Sequence, residues 1–250
     1  MASSELVLGT QAWIAARDGR LTLRDRLALL GGLFGSLVEG ARLARRARRS
    51  DRHATPLDEL APPDTPMVHA ARSYLVDACG TPLVNHSMRT AYWTLLVLHQ
   101  HGDGELAPID RETAWVAALL HDVGLERPLP RRDFALAGIE TLKTLAHAHR
   151  WPADQVEAAA EAIATNLSLR VDRARSGPIA WAMNVGGAGE LGGGPHRGQM
   201  HPDRVAELEA LFPRTGFREE SMRLIRADAR RFRGGRFGFF RWVFPLVVKK

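Results

Sequence analysis

Two adjacent residues, His121 and Asp122, sit at the end of the very apolar stretch WVAALLHDVG. Burying an imidazole and a carboxylate there is expensive unless they are paired with each other or bound to a metal ion. Successive helical residues point about 100° apart, so both can lean toward one ion only where a helix ends. A second imidazole, His86, comes from VNHSMRTAYW. Imidazole and carboxylate together suit Zn, Fe, Mn or Ni far better than Ca. Open positions on such an ion would lower the pKa of water and supply a nucleophile near neutral pH. The competing structural reading is a hydrogen-bonded His–Asp pair with no metal.

Other candidates carry less. His99 and His101, like His147 and His149, are two residues apart and point to different sides of a helix, so they read as surface histidines. His196 and His201 lie in the glycine loop and reach a site only if it folds over. GGGPHRG follows no strand and precedes no GK[ST], so it is not a phosphate loop. The single cysteine, Cys79, excludes an intramolecular disulfide and a thiolate cage, and lacks the context of an activated nucleophile.

The elements that must position these residues read as helices. Pro66 opens one through about Asp77, and Gly80-Thr81-Pro82 breaks it. The next runs from about Asn85 to His101. Asp110 is the expected N-cap of a third, with Gly124 its stop. Further helices are expected over 134–149, from Pro152 to about Asn166, from Pro178 to about Leu191, over 203–212 and over 217–232. No run of period-two alternation occurs, so the fold class is all-α. Leu23, Leu27, Leu30, Leu33, Phe34, Leu37 and Val38 form a helical stripe over 21–49, weakened by Gly31, Gly32 and Gly35. The expected organisation is a basic helical extension (1–52), a Pro- and Asp-rich linker (53–64), a helical metal-binding domain (65–232) and a basic aromatic tail (233–250).

Charge follows this division. Residues 1–52 carry ten Arg against five acids, residues 53–217 fourteen basic side chains against twenty acids, and residues 218–250 ten against three. A mildly acidic centre thus lies between two basic ends. The start, MASSELVLGT, has no charged region followed by an apolar run, so it does not read as a secretory signal; with one cysteine this fits a cytoplasmic, reducing setting. The C-terminal RRFRGGRFGFFRWVFPLVVKK is too short and interrupted to span a bilayer. It fits a membrane interface, or it packs back onto the domain or onto a second subunit. The apolar stripe at 23–38, with its basic exit, poses the same choice, and Gly31 and Gly35 would let another helix approach closely. Nucleic-acid binding ranks last, since no recognisable module carries the basic residues.

Three segments, PPDTPMVHAARSYL, NHSMRTAYWTLLV and AWVAALLHDVGLE, together resemble the HD-domain superfamily, and within it the cyanamide hydratase-like branch. The resemblance covers roughly residues 62–232. It implies a single HD-type helical bundle in which His86, His121 and Asp122 bind a metal and Ser87 and Arg89 line the site. Four positions depart from the branch. Asn166 and Asn184 stand where histidines are common, Glu190 where an Asp is common, and Ala135 where a Glu can follow the loop Phe. On this alignment Glu190 closes a four-ligand set, with Asp172 its rival, and Arg89, Asn166 and Asn184 orient a small-molecule substrate. The missing imidazoles imply one divalent ion (Zn, Fe or Mn) rather than two. The implied activity is addition of metal-activated water to a small polar substrate, by a hydro-lyase or hydrolase and with a nitrile- or amide-like substrate favoured. The rival readings are the superfamily's phosphohydrolase activity and a non-catalytic HD module tethered to a membrane or partner.

Overall fold

The computed structural model describes residues 6–32, 55–101, 108–192 and 200–241. These are all-helical, with no strand among them. The helices are α1 (Gln11–Arg17), α2 (23–32), α3 (Pro66–Ala78), α4 (Thr81–His101), α5 (Pro108–Leu120), α6 (Val123–Glu126), α7 (Phe134–His149), α8 (Ala153–Thr165), α9 (Arg173–Gly192), α10 (Pro202–Leu211), α11 (Phe217–Arg231) and α12 (Arg236–Phe240). Helix α5 is the centre of the core. Ala114 to Leu120 are all fully buried, and Trp115 Nε1 donates to Leu60 O so that the indole carries no unmet donor.

Starts and stops follow local chemistry. Thr65 caps α3 through its hydroxyl, with Pro66 at the first helical position. Asp133 caps α7 through Ala135 N, and Arg150 ends it in the left-handed region. Helix α4 begins at Thr81, one turn earlier than expected, because Gly80 O accepts from Leu83 N and Val84 N. In α9 only Gly177 is non-helical, at φ 85°, so the continuous helix begins at Pro178 as its sequence implies.

Two glycines set close approaches that the sequence does not announce. Gly124 does not stop a helix but lies inside α6, and a Cβ there would sit 1.9 Å from Phe134 O. Because a backbone atom is struck, Gly124→Ala is expected to destabilise by about 2–3 kcal/mol and to move Asp122 two residues upstream; urea unfolding measures the first effect. In α9, a Cβ on Gly186 would meet Thr94 N and Trp93 C at 3.0 Å, and one on Gly189 the Trp93 ring at 2.7 Å. Glycine there lets α9 lie directly against α4, running antiparallel to it.

Packing crosses the boundaries expected near 53–65 and at 232. Trp13, Ile14, Leu21 and Leu29 belong to the same core as the central helices, and so do Phe237 and Phe240. Arg236 forms a two-pronged pair with Asp133, Nε to Oδ2 at 2.9 Å and Nη2 to Oδ1 at 2.7 Å, while its Nη1 donates to Ala164 O. Both side chains are 2% exposed. Residues up to Arg241 therefore pack back onto the bundle; 242–250 lie outside the described residues, as do 33–54, which hold the rest of the expected N-terminal helix. Arg236→Met would leave Asp133 as a buried unpaired charge, so a loss of about 3–5 kcal/mol is expected. Thermal unfolding of the variant within about 1 kcal/mol of the parent would contradict this assignment.

Candidate metal centre

The site forms where two chain segments meet. His86 lies in the second turn of α4, whereas His121 and Asp122 occupy the two-residue turn between α5 and α6. Asp122 has φ −111° and ψ 2° and makes no side-chain cap to α6, leaving its carboxylate to point elsewhere. It points at the two imidazoles. Asp122 Oδ2 is 3.4 Å from His86 Nε2 and 3.3 Å from His121 Nε2, and the two Nε2 atoms are 3.3 Å apart. Three donor atoms thus make a nearly equilateral triangle.

Neighbouring groups fix which nitrogen faces inward. Ala118 O is 2.7 Å from His121 Nδ1; a carbonyl can only accept, so Nδ1 carries the proton and Nε2 presents its lone pair to the triangle. Glu190 Oε2 plays the same part for His86 Nδ1 at 2.6 Å. Such outer partners set the tautomer and orientation of metal-binding histidines. An ion bound about 2.0–2.1 Å from each donor in a tetrahedral array separates its ligands by roughly 3.3–3.4 Å. The triangle has this size, and its N, N, O composition suits a transition metal. Among the described residues, His86, His121 and Asp122 are the group of ligand-type side chains that converge in this way.

The electrostatics call for a cation. Burial works against ionised Asp122, yet His121 and His86 hold its carboxyl well below the usual carboxylate range. Burial pushes His86 down, but the Glu190 and Asp122 carboxylates outweigh it and hold the imidazole up at about 9. In the absence of a metal, then, a proton supplies the positive charge. For Glu190 burial again opposes ionisation; His86, Arg89 and Arg214 overcome it and bring the carboxyl to about 2.

Glu190 does not occupy the fourth-ligand position expected of it. It sits behind His86, on the ring edge away from Asp122, and its other oxygen accepts from Arg89 Nε at 2.6 Å and Arg214 Nη1 at 2.8 Å. Nor does Arg89 face a substrate space: its side chain is fully buried, and its Nη1 donates to Phe212 O and Pro213 O. Ser87 is buried as well, with its hydroxyl lacking a hydrogen-bond partner. Asn184 Nδ2 donates to the carbonyls of Thr165, Asn166 and Ser168, so its amide closes the end of α8. Asn166 is the C-cap of that helix, and its Oδ1 faces Gly187. These two amides serve the α8–α9 junction. Asp172 is an exposed cap, accepting from Ala174 N and Arg175 N, and His201 caps α10. His147 and His149 are exposed; His196 lies outside the described residues.

Two contributors escaped the sequence reading. Phe217 stacks on His86 with centroids 4.6 Å apart and planes 22° apart, and Arg89 and Arg214 lie over the same ring. Arg214 also donates to Glu190 O at 2.6 Å, tying the 213–217 turn to α9. Neither has a local signal, because both act through contacts made across the fold. Cys79 lies close enough to feel Asp122, but burial, with Glu126 and Asp122 adding to it, pushes its thiol up to about 12 and leaves it unreactive.

No match to a curated protein was found. Residues 83–185 match the family model described as HD domain. That stretch begins in the first turn of α4, contains the whole donor triangle, and ends on α9 before Glu190. The match supports placing residues 83–185, with His86, His121 and Asp122 at their centre, in the HD superfamily.

Proposed function

We propose that His86 Nε2, His121 Nε2 and Asp122 Oδ2 hold one divalent transition-metal ion, and that the chain is a metal-dependent hydrolase or hydro-lyase for a small polar substrate. The observation carrying this reading is the donor triangle, 3.3–3.4 Å on each side, with both Nδ1 protons already committed. HD-domain proteins are generally metal-dependent hydrolases, which agrees with it. When bound, the ion would supply Lewis acidity and lower the pKa of water toward neutrality. The chain's own residues do the rest. Ala118 O and Glu190 hold the imidazoles in place, Phe217 covers one face of His86, and Asp122, with 14% of its side chain exposed, is where the centre meets solvent.

Charge pairing favours an uncharged substrate such as a nitrile or amide over a phosphoester. Arg89 and Arg214 are spent on Glu190, and Arg223 is held by Glu126 and Glu220. Arg214 also faces Glu209 at 3.9 Å, so each of these guanidinium groups is engaged by a carboxylate of the protein, leaving little to attract a phosphate. The test is a substrate panel of small nitriles, amides and phosphomonoesters, assayed with Zn, Mn or Fe added and with the metal removed. Metal-dependent water addition to a nitrile or amide, absent from Asp122→Ala, is the expected result. Turnover confined to phosphoesters would overturn the substrate assignment, and turnover surviving in Asp122→Ala would overturn the site.

A further inference from the structure

Helices α7 and α8 are joined by the short turn 150–152, and an open groove of about 590 Å³ beside it is lined from both helices. Its volume falls within the roughly 300–1,000 Å³ of small-molecule sites. The groove is remote from the metal centre. Phe134, at the other end of α7, packs on Gly124 of α6, and Lys143 lies nine residues further along that helix, a rise of about 14 Å.

Helical spacing gives the groove two unlike edges. Lys143, His147 and Arg150, at i, i+4 and i+7, line it from α7 and the turn that follows, whereas α8 contributes Glu157. Ala146, Ala153 and Val156 supply apolar surface. Trp151 adds its indole and is fixed in place by its backbone N–H, which donates to Ala146 O at 2.9 Å. Lys143, Arg150 and Glu157 are exposed, and among the described residues they form no ion pair or side-chain hydrogen bond. Elsewhere carboxylates take up the surface cations, as Glu207 does for Arg204 and Glu220 for Arg223. Arg150 is held at φ 52° and ψ 40°. Glycine adopts this left-handed position at a helix end without strain; an arginine there keeps a guanidinium on the groove at a conformational cost.

We propose that this groove binds a free apolar α-amino acid. Its carboxylate lies on Lys143 and Arg150, with His147 a further donor between them, and its ammonium lies on Glu157. Its side chain covers Trp151 and the apolar surface of Ala146, Ala153 and Val156. Charge decides the ligand class. A simple anion leaves the Glu157 carboxylate opposing it, and a simple amine faces two cations, whereas a zwitterion satisfies both edges at once. The site is separate from the metal centre and does not depend on the substrate proposed for it.

The test is an NMR titration of the protein with L-phenylalanine and with three compounds that each lack one feature. Phenethylamine lacks the carboxylate, 3-phenylpropionate the ammonium and glycine the apolar body. The L-phenylalanine titration is repeated on K143A/R150A and on E157Q, whose changes lie at exposed positions, with circular dichroism to check that both are folded. Saturable binding of L-phenylalanine is expected, with each of the three compounds and each variant weaker by at least about fivefold, the upper range for an exposed charge pair. No binding of L-phenylalanine overturns the proposal. So does any of the three compounds binding as tightly as L-phenylalanine, or a folded variant that binds it as the parent does.

Discussion

Glu190→Gln will destabilise the protein by about 3–5 kcal/mol, the usual consequence of removing one member of a buried charge network. The carboxylate is fully buried and joins three positive partners, His86, Arg89 and Arg214. The amide keeps the shape but not the charge, so the fully buried Arg89 loses its counterion and the partly exposed Arg214 loses its nearer one. The effect depends on pH in a definite direction. Glu190 is depressed to about 2 from 4.5, so its contribution is complete above about pH 4.5 and disappears as pH falls toward 2. His86, raised to about 9 from 6.5, works the other way: in metal-free protein its contribution is complete below about pH 6.5 and is lost as pH rises through 9. Urea midpoints of parent and variant should therefore differ most between about pH 4.5 and 6.5 and converge toward pH 2. The same substitution replaces the charged acceptor that orients His86 with a weaker, neutral one, and metal affinity should fall about 10–100-fold. Equal unfolding midpoints at pH 6 would show that the network does not support the fold.

The second large effect is expected at Asp122. Asp122→Asn keeps the turn between α5 and α6 but removes the only anionic donor of the triangle. Loss of a direct ligand should exceed the loss of an outer partner, so affinity for a divalent ion is expected to drop by at least about 100-fold, with metal-dependent turnover falling alongside it. Isothermal titration with Zn or Mn measures the first and the substrate panel the second. Stability should change little by comparison, because Asp122 is partly exposed whereas Glu190 is fully buried. A variant that unfolds like Glu190→Gln would assign Asp122 a structural role instead.

The all-α class and most helix positions were legible because each depends on residues close in sequence. The 134–149 helix is bounded by Asp133 and by a left-handed Arg150, and its apolar spacing leaves no ambiguity. Helix α1 was not anticipated. Only seven residues long, it buries just Trp13 and Ile14, too few for a periodic pattern to show. Gly124 misled for a related reason. Glycine commonly ends helices, but here it is required by Phe134 O, ten residues further along and invisible in a local window.

The same distinction divides the candidate site. His86, His121 and Asp122 were legible through residue type and an apolar context, and the structure brings them within 3.4 Å. Glu190 was also singled out, but as a ligand. Its place behind His86 follows from the close packing of α9 on α4, which depends on Gly186 and Gly189 meeting Trp93. Asn166 and Asn184 were read against histidines common in similar sequences; in this fold the Asn184 amide finds three carbonyls at the end of α8 and is satisfied there.

The central claim is that the triangle is a metal centre, and metal stoichiometry tests it most directly. The purified protein and His121→Ala, each reconstituted with Zn, Mn or Fe and freed of excess ion, are compared by elemental analysis, with circular dichroism confirming that both are folded. About one transition-metal ion per chain in the parent, as a mononuclear site requires, and almost none in the variant is the predicted result. A folded parent that retains no metal under any of these conditions, or a variant that retains as much as the parent, would contradict it.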